Sequence, residues 1–512
     1  MTDSQAATIE LGARIVPGGF FLTRKDAPAR TPFAPRPCDG EPPYRHCFTY
    51  AGGGSDIRHE LIRMIDGAQR KIFVATLFLG DAELREALIR AARRLRGGVY
   101  VVSALDDKGL DKAINNVDDK TDIDQQLEYR NFRELTRHGI YVRGCAGLHA
   151  KFVVVDDATA LVSSANLVTR SFDRVGENGV VVTEAEDVIR LAKLFGRLWQ
   201  LSAWDMPPDP DPERHRVESR TARSLITVDA PAKGTGPIWT WGGDEHHIAA
   251  AIVDIVDRAE KDLILATFSV ANMTYQIGRH PPEPRLLFDP VRRAVERGVR
   301  VRMFMRGRNN MDAARAEAAA FAGAGVEIVP DRLNHAKAAI ADDRHGALFS
   351  ANFLTGLGLT GGIEMGMRLD GTAALAEAVR YYEHAMAEAN MTFAHDPSLE
   401  ELAGALYAEA LTPWPLPPSL EVVADDRTWR RLQEQQGVVL YERSGASPVT
   451  LRSGEERWQL DTANGWWWLE PCASPGQGRG AGETFEAWLT RERTPEGVER
   501  GLCAAALVRT SP

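Results

Sequence analysis

Two stretches of the sequence carry the same polar residue types at the same spacing. The first, LHAKFVVVDDATALVSSAN, occupies residues 148–166, and the second, NHAKAAIADDRHGALFSAN, occupies residues 334–352. Imidazole can serve as a nucleophile or proton carrier near neutral pH, lysine supplies positive charge, and serine and asparagine supply neutral donors. This chemistry suits a phosphate group. Two such sets would provide one histidine to attack phosphorus and one to protonate the leaving oxygen.

The candidate residues occur in pairs that are two positions apart. Residues two apart on a β-strand project from the same face, so each pair is expected to point together from its strand. The pairs are His149 and Lys151, Ser164 and Asn166, His335 and Lys337, and Ser350 and Asn352. Each copy therefore offers four polar groups that converge from neighbouring strands.

Alternating helix and strand patterns surround both stretches and must position them. From residue 51 the periodicity predicts helices and strands in alternation, ending in the strands that carry the first motif. The same order returns after residue 235. The sequence therefore predicts a duplicated α/β unit with largely buried sheets, in which one unit packs against its twin.

Proline-rich breaks and composition define the expected organisation of the chain. The expected segments are an irregular N-terminal arm at 1–50, a first repeat at 51–205, a linker at 206–234, a second repeat at 235–395, a helix and proline-rich linker at 396–420, and a small β-rich module of unknown role at 421–512. Tryptophans of this module, such as Trp466, Trp467 and Trp468, fit either the core of a small sheet or a partner-binding surface.

Charge, cysteines and hydropathy exclude several classes of protein. A formal net charge of −10 argues against nucleic-acid binding by the whole surface, although it permits a local basic cleft. The five cysteines lack the spacing of a structural zinc site. Neither a signal peptide nor a long apolar span is evident. We therefore predict no cofactor, no metal, no transmembrane segment and a cytoplasmic location.

Both stretches resemble the HKD signature of the phospholipase D superfamily: histidine-x-lysine, four residues, aspartate, six residues, then glycine-serine-x-asparagine. The copies read His149, Lys151, Asp156, Ser163, Ser164 and Asn166, and His335, Lys337, Asp342, Phe349, Ser350 and Asn352. Ser163 and Phe349 replace the glycine of the signature, and the bulky Phe349 is expected to narrow the second half of the site. The resemblance covers about residues 51–395.

The resemblance implies a fold and a reaction. The fold would be a duplicated phospholipase D-like α/β/α sandwich, with two mixed sheets related by a pseudo-twofold axis, plus the β-rich module. The reaction would be a metal-independent double displacement through a phosphohistidine. We take His149 as the first candidate for the nucleophile, because the first-copy histidine often has that role in two-copy relatives.

The resemblance also implies roles for the other motif residues. The downstream acid that orients the histidine has a candidate in each copy, Glu177 in GENGVVV and Glu364 in IEMGM. Asp156 and Asp342 would be structural. The predicted phosphate-binding residues are Lys151, Ser164, Asn166, Lys337, Ser350 and Asn352, and the predicted catalytic residues are His149, Lys151, Asn166, Glu177, His335, Lys337, Asn352 and Glu364.

Substrate is the least determined part of the prediction, because the superfamily includes nucleases, phospholipases and phosphatidyltransferases. We favour a nuclease acting on DNA or RNA, because basic residues near the motifs could follow a phosphate backbone. These basic residues are Arg137, His138, Arg143, Arg300, Arg302, Arg306, Arg308 and Arg332. An acidic stretch at 106–124 is either a plain surface loop or a cover over a basic cleft.

Two alternatives remain. An intracellular phospholipase D or phosphatidyltransferase is supported by apolar residues beside the strand ends, namely Phe78, Leu79, Phe268 and Met273. A catalytically weak nucleic-acid-binding or adaptor protein would bind substrate without forming phosphohistidine. We further hypothesise a protein partner at the C-terminal module, a role in DNA restriction or phage defence, and a monomer or homodimer.

Overall fold

The computed structural model describes most of the chain between residues 18 and 398. The described residues are 7–9, 18–24, 26–37, 40–50, 55–104, 131–209, 211, 217–242, 245–271, 273, 285–308, 312–356, 358–398 and 401, with the backbone of short strands between 420 and 469. The acidic stretch at 106–124 and residues 470–512 lie outside the described residues.

The chain forms two compact units. The larger unit comprises Pro28–Arg306 and Ala324–Glu388, and the smaller comprises Met1–Ala27, Gly307–Gly323 and Ala389–Pro512. Both motifs lie in the larger unit, which is therefore the part of the molecule that positions the candidate chemistry.

A mixed sheet of nine strands forms the first repeat of the larger unit. Two short strands, β1 (Ala7–Ile9) and β2 (Gly19–Thr23), precede it in the chain. The nine strands are β3 (Tyr44–Thr49), β4 (Ile72–Ala75), β5 (Val99–Ser103), β6 (Tyr141–Gly144), β7 (Phe152–Val155), β8 (Thr159–Ser163), β9 (Glu177–Val182), β10 (Trp204–Met206) and β11 (Glu218–Ser219). Their order is β11-β10-β6-β5-β4-β7-β8-β9-β3, with β4, β5 and β6 parallel and the other neighbours antiparallel.

The second repeat contains a mixed sheet of eight strands. The strands that follow in the chain are β12 (Thr235–Trp241), β13 (Glu245–His246), β14 (Asp262–Thr267), β15 (Val270–Ala271), β16 (Arg300–Arg306), β17 (Glu327–Asp331), β18 (Ala338–Ala341), β19 (His345–Phe349), β20 (Phe353–Leu354) and β21 (Ile363–Leu369). The sheet order is β13-β12-β21-β19-β18-β14-β16-β17, and β15 pairs with β20 separately. The run β12-β21-β19-β18-β14-β16-β17 repeats the run β3-β9-β8-β7-β4-β5-β6 of the first sheet. The predicted duplication is therefore present in the topology.

Helices cover both faces of the first sheet. Among the described residues the helices are α1 (Asp56–Gly67), α2 (Ala82–Arg94), α3 (Thr169–Asp173), α4 (Ala185–Leu201), α5 (His247–Arg258), α6 (Phe288–Glu296), α7 (Asp312–Gly323) and α8 (Ala373–Ala387). Val74 and Val153 pack in the core with α1 and α2, whereas the neighbouring Phe73 and Phe152 contact Phe195 of α4. Because side chains alternate along a strand, one sheet serves both helical layers. The predicted α/β/α sandwich is confirmed.

Local sequence explains where the helices begin and which face they bury. The Asp81 side chain accepts a hydrogen bond from the Leu84 backbone N–H at 3.0 Å, which caps α2. Leu84, Leu88 and Ala91 then recur at helical spacing on the buried face. Thr372 caps α8 in the same way, through the Leu375 N–H at 3.2 Å.

The N-terminal arm differs from the expectation. Instead of remaining irregular throughout 1–50, the chain forms β2 and β3, and β3 pairs with β9 along its full length from Tyr44 to Thr49. The first sheet therefore begins before residue 51. Proline and arginine flank this strand, and they obscured its short apolar pattern. Strand β12, from Thr235 to Trp241, occupies the equivalent edge of the second sheet and had also not been predicted.

The smaller unit contains α7 and two strand pairs, β2 with β22 (Met391–His395) and β1 with β23 (Leu420–Val422). The predicted β-rich module appears as β24 (Trp429–Gln435), β25 (Val438–Arg443), β26 (Val449–Ser453), β27 (Glu456–Leu460) and β28 (Trp466–Leu469). In the described part of the chain, no helix is both long and apolar enough to cross a membrane.

Candidate active site

The two HKD segments lie at the ends of central strands, not within them. His149 and Lys151 immediately precede β7, and Ser164 and Asn166 immediately follow β8. The second motif has the same placement around β18 and β19. The prediction that these residues lie on strands is therefore wrong by a few positions. At the two histidines the backbone is instead held by hydrogen bonds to the other repeat.

Two reciprocal backbone bridges join the repeats at the motifs. Leu148 forms a parallel bridge with Ile363, and Gly176 forms a parallel bridge with Asn334. The His149 backbone N–H donates to the Ile363 carbonyl at 2.8 Å, and the His335 N–H donates to the Gly176 carbonyl at 2.8 Å. The residue after each of these carbonyls is the predicted acid of the other repeat.

Each histidine consequently pairs with the acid of the opposite repeat. His149 Nδ1 lies 2.8 Å from a carboxylate oxygen of Glu364, and His335 Nδ1 lies 2.7 Å from Glu177. A carboxylate can only accept, so Nδ1 carries the hydrogen and Nε2 of a neutral ring keeps its lone pair. The sequence identified all four residues but did not reveal this crossed pairing.

The motif serines hold the two acids. Ser164 Oγ donates to Glu177 at 2.5 Å and accepts from the Asn178 backbone N–H at 3.0 Å. Ser350 Oγ likewise donates to Glu364. A hydroxyl has one hydrogen to donate, so the structure gives Ser164 and Ser350 a different partner from the predicted phosphate.

The two lysines are buried beside the histidines. Lys151 is 1% exposed and Lys337 is fully buried. Burial lowers the pKa of Lys151 to about 7, and it lowers the pKa of Lys337 to about 8. Lys151 Nζ donates to the His149 carbonyl, whereas Lys337 Nζ lies 3.2 Å from Nδ1 and 3.3 Å from Nε2 of His335. Lys337 therefore lies against the His335 ring, whereas Lys151 is held at the His149 backbone.

Burial and these cations keep both histidines neutral. Desolvation, with Lys151 and Lys337 nearby, lowers the pKa of His149 below its ordinary value despite the attraction of Glu364. Burial is also the main reason that the pKa of His335 falls to about 4. Lys337 affects His149, and Lys151 affects His335, so the two motifs share one electrostatic centre.

The two acids are ionised although both are buried. Burial alone would raise the pKa of Glu177, but His335 and Lys337 outweigh it and the pKa is lowered. The pKa of Glu364 is lowered for the same reason by His149 and Lys151. The centre therefore contains two carboxylates and two ammonium groups around neutral imidazoles.

The motif asparagines share an unusual feature. Asn166 Oδ1 and Asn352 Oδ1 are buried, and neither has a hydrogen-bond partner among the described residues. An unsatisfied buried amide oxygen is costly, by about 1–3 kcal/mol. The side-chain amide can rotate to exchange its oxygen and nitrogen. Neither amide oxygen is therefore held by a bond that would oppose a rotation turning the NH2 donor towards a phosphate.

The motif aspartates stabilise turns away from the histidines. Asp156 has a positive φ of 56°, and its carboxylate accepts from the backbone N–H groups of Gln69, Arg70 and Lys71 at 2.6, 2.7 and 2.9 Å. Asp342 accepts from three consecutive N–H groups, beginning at Glu260, in the same way. Their geometry is that of structural residues at the β7–β8 and β18–β19 turns.

Glycines on the neighbouring strands make room for the residues that replace the motif glycines. Phe349 lies opposite Gly366, where an added Cβ would approach Phe349 Cβ at 2.6 Å, and Ser163 lies opposite Gly179. Phe349 is 1% exposed and packs on Phe353 with ring centroids 6.2 Å apart. The close approach is thus made possible by a glycine on the partner strand.

Several basic residues that were predicted to follow a phosphate backbone are already paired. Arg302 is 7% exposed and bonds to Asp262 and Glu383 at 2.6 Å each. Arg143 pairs with Asp205 at 3.4 Å, and Arg300 pairs with Glu327. These three arginines stabilise the fold. Arg306, at the end of β16, acts electrostatically on Lys337.

Sequence reasoning missed a supporting contact between the repeats. The Asn178 side chain donates to Tyr382 Oη at 2.6 Å and to the Lys337 carbonyl at 3.3 Å. Its position directly after Glu177 was the only available signal. No group of three or more His, Cys, Asp or Glu residues in the described ranges is arranged to hold a metal ion.

Comparisons with known proteins agree with the motif. The family model described as "Cardiolipin synthase, PLD-like domain" matches residues 61–199. A "Probable phospholipase D" of Caenorhabditis elegans is 30% identical over 235 residues, which are 43% of this chain and 39% of that protein. The "5'-3' exonuclease PLD3" of Rattus norvegicus is 29% identical over 197 residues, or 35% of this chain and 37% of that protein.

The matches span about two fifths of the length of these curated relatives. A solved structure, phosphatidylserine synthase of Haemophilus influenzae Rd KW20, has a TM-score of 0.48 and 15% identity, and covers 70% of this chain and 89% of that one. Nothing about substrate follows from a likeness of this size. The PLD-like domain matched at residues 61–199, the similar phospholipase D and the two motifs that meet at one centre together support membership of the phospholipase D superfamily.

Proposed function

We propose that this protein is a metal-independent phosphodiesterase that cleaves DNA or RNA through a phosphohistidine intermediate. The observation that carries the proposal is the pair of crossed contacts, His149 with Glu364 and His335 with Glu177. One repeat alone would supply a histidine without its acid. Two repeats together supply two oriented imidazoles, as a two-step displacement requires.

In the first step, Nε2 of His149 attacks phosphorus as the bond to the leaving oxygen breaks. His335 donates a proton to that oxygen. In the second step, His335 takes a proton from water, whose oxygen attacks phosphorus and releases His149. Lys151 and Lys337, with the amides of Asn166 and Asn352, stabilise charge on the phosphoryl oxygens. Glu177 and Glu364 hold the ring tautomers and stabilise the imidazolium.

The free protein holds His335 neutral, so its role as an acid depends on bound substrate. The phosphodiester brings negative charge between the two lysines. Burial is the main reason that the pKa of His335 is low, and Lys337 lowers it further; the phosphodiester charge offsets the repulsion from Lys337 and so favours the protonated imidazole. Proton donation is therefore coupled to substrate binding.

Nucleic acid is favoured over phospholipid by the side chains around the strand ends. Of the apolar residues that could have suited acyl chains, Leu79 and Met273 are each 1% exposed and belong to the core. Phe78 is 38% exposed and Phe268 is partly exposed, so aromatic rings are what remains accessible. The Phe268 ring centroid lies 6.0 Å from Lys337 Nζ, and an accessible ring near a lysine suits a base and its phosphate. The relative named an exonuclease supports the same choice.

Hydrolysis of labelled substrates in EDTA tests the proposal. The substrates are single- and double-stranded DNA, RNA and phosphatidylcholine vesicles, and the variants are His149→Ala and His335→Ala. His59→Ala, which removes an exposed histidine of α1, is the matched control. We expect cleavage of nucleic acid by wild type and control in EDTA, and loss of at least about 10³-fold in both variants.

Other outcomes separate the alternatives. Turnover of lipid alone would replace the nuclease with a phospholipase D or phosphatidyltransferase. Binding of DNA without turnover and without a phosphohistidine peptide would indicate an adaptor. Activity that EDTA abolishes would contradict the metal-independent reaction. A role in restriction or phage defence, a cytoplasmic location and a partner at the C-terminal module stay hypotheses.

A further inference from the structure

The two halves of the site differ at the strand end beside the motif. Ala75 of β4 and Ala266 of β14 each lie opposite the first residue of a motif strand, so they are equivalent positions. Two positions further on, the first repeat has Leu77 and the second has Phe268. An aliphatic residue in one half thus corresponds to an aromatic residue in the other.

The next strand shows a second difference at the same level. Val102 of β5 lies opposite Ala75, and Phe304 of β16 lies opposite Ala266. Two positions beyond them, the first repeat has Ala104 whereas the second has Arg306. The second half therefore carries an additional ring and an additional cation at matched positions.

Phe268 and Arg306 form a cluster at the second histidine. The Phe268 ring centroid lies 5.0 Å from that of His335, with 64° between the ring planes. The Arg306 guanidinium lies 5.3 Å from the Phe268 centroid, and Lys337 Nζ lies 6.0 Å from it. Arg306 is 8% exposed, whereas the Phe268 ring remains partly exposed. Cation–π contacts thus hold a partly accessible ring next to a catalytic imidazole.

A nucleobase attached to the scissile phosphate fits this cluster. Every base has a π-face that can stack on an aromatic ring, and stacking tolerates any sequence. The two cations beside the ring attract the phosphate to which the base is linked. An acyl chain would gain nothing from Arg306 and Lys337. At the matched position of the first half, Leu77 offers no aromatic face, and the exposed Phe78 that follows it corresponds to Ser269.

We propose that Phe268 stacks the nucleobase on the His335 side of the scissile phosphate, and that the base on the other side has no aromatic partner at the matched position. The inference rests on the proposed function, because it assumes a nucleic-acid substrate at this site. Arg306 is a positioning residue in it, since it acts by holding the ring. The enzyme would therefore require a base on one side of the cleaved bond and tolerate its absence on the other.

A thermodynamic cycle, in which the Phe268 side chain and the substrate base are changed separately and together, tests the proposal. The substrates are dithymidine monophosphate and its analogues in which the first, the second or both bases are replaced by an abasic tetrahydrofuran. The variants are Phe268→Leu, which installs the residue of the first repeat, and Phe268→Trp, which keeps an aromatic face. Tyr141→Leu is the control, because Tyr141 is a 43% exposed aromatic residue at the opposite end of the first sheet.

We expect wild type and the control to lose about 10-fold or more in kcat/KM when one particular base is removed, and little when the other is removed. Phe268→Leu should show the same loss on the intact substrate and no further loss on that abasic analogue. Phe268→Trp should restore the preference. The proposal would be overturned if the kcat/KM losses from Phe268→Leu and from base removal multiplied, or if kcat/KM depended equally on both bases. Either result would leave the proposed nuclease activity intact. Failure of wild type to cleave any of the four substrates would remove both.

Discussion

Lys151 and Lys337 are buried lysines of the site, and burial lowers the pKa at which each loses its positive charge. A lysine in water keeps its proton to about pH 10, whereas the pKa of Lys151 falls to about 7 and that of Lys337 to about 8. Loss of either proton removes a positive charge that the phosphate needs. The protonation state of these lysines therefore sets the alkaline limit of substrate capture.

We predict that kcat/KM falls as pH rises above about 7, because kcat/KM reports the free enzyme and Lys151 loses its charge first. On the acid side the decline should begin below the ordinary histidine pKa of about 6.5, because the pKa of His149 is lowered. Arginine does not titrate in this range. A pH profile of Lys151→Arg should therefore move the alkaline limb up towards about 8, the pKa of Lys337. An unmoved limb would show that another group controls it.

The elements that carry the acids depend on close packing at Gly176, which precedes β9. A Cβ at this position would lie 2.8 Å from the hydroxyl oxygen of Tyr381 in α8. Gly176 also accepts the His335 N–H through its carbonyl, and the next residue is Glu177. Displacement of this segment would move the acid and the histidine relative to each other.

We predict that Gly176→Ala lowers kcat by about 10²-fold, because a shift of about 1 Å at a catalytic contact has costs of that size. Tyr381→Phe removes the oxygen that the new methyl group meets, and it also removes a hydrogen bond to the Thr49 carbonyl at 3.1 Å. The double variant should regain most of the lost kcat, while Tyr381→Phe alone should mainly lower stability. Steady-state kinetics of the four proteins measures this, and an absence of rescue would contradict the steric account.

The motif aspartates stabilise the turns that join their strands. Burial alone would raise the pKa of Asp156, but three backbone N–H donors lower it. Its contribution to stability is therefore present above the ordinary pKa of about 4 and is lost as pH falls through the lowered value. The left-handed backbone at φ 56° adds a further constraint, which asparagine tolerates better than alanine.

We predict that Asp156→Ala lowers the free energy of unfolding by about 3 kcal/mol and Asp156→Asn by about 1 kcal/mol. Asp157→Asn should cost less than about 1 kcal/mol, because Asp157 makes a partly exposed ion pair with Lys71. Urea denaturation near neutral pH would rank the three variants. Equal losses at both positions would show that the backbone hydrogen bonds of Asp156 are not what stabilises the turn.

The sequence was sufficient to predict the duplication and to single out residues that the structure brings together, because both depend on spacing along the chain. The histidine, lysine, serine and asparagine of each copy lie close together in sequence, and strand geometry brings them together. The crossed pairing of His149 with Glu364 was not predictable, because it depends on a backbone bridge between residues of different repeats. The edge strand β3 escaped detection because its six residues lie within a proline-rich arm.

The larger unit as a whole contains both halves of one centre in a single chain. Each histidine is oriented by an acid of the other repeat, and each repeat alone would leave an imidazole and a carboxylate without partners. An unpaired buried carboxylate is strongly unfavourable. The duplication therefore makes a single chain sufficient for the site, and association of two chains is not needed to complete it.

A mixing experiment tests this arrangement. His149→Ala and His335→Ala each lack one of the two imidazoles, and both imidazoles of a working site come from the same chain. We predict that mixing the two inactive variants, with or without joint refolding, restores no phosphodiesterase activity. In the wild type, rapid quenching should trap at most one phosphohistidine per chain, and its peptide should contain residue 149. Recovery towards about one quarter of wild-type activity after joint refolding is the statistical result for a site shared between exchanged chains. That recovery would show that the crossed pairs form between two molecules, and the monomer would then lack a complete site.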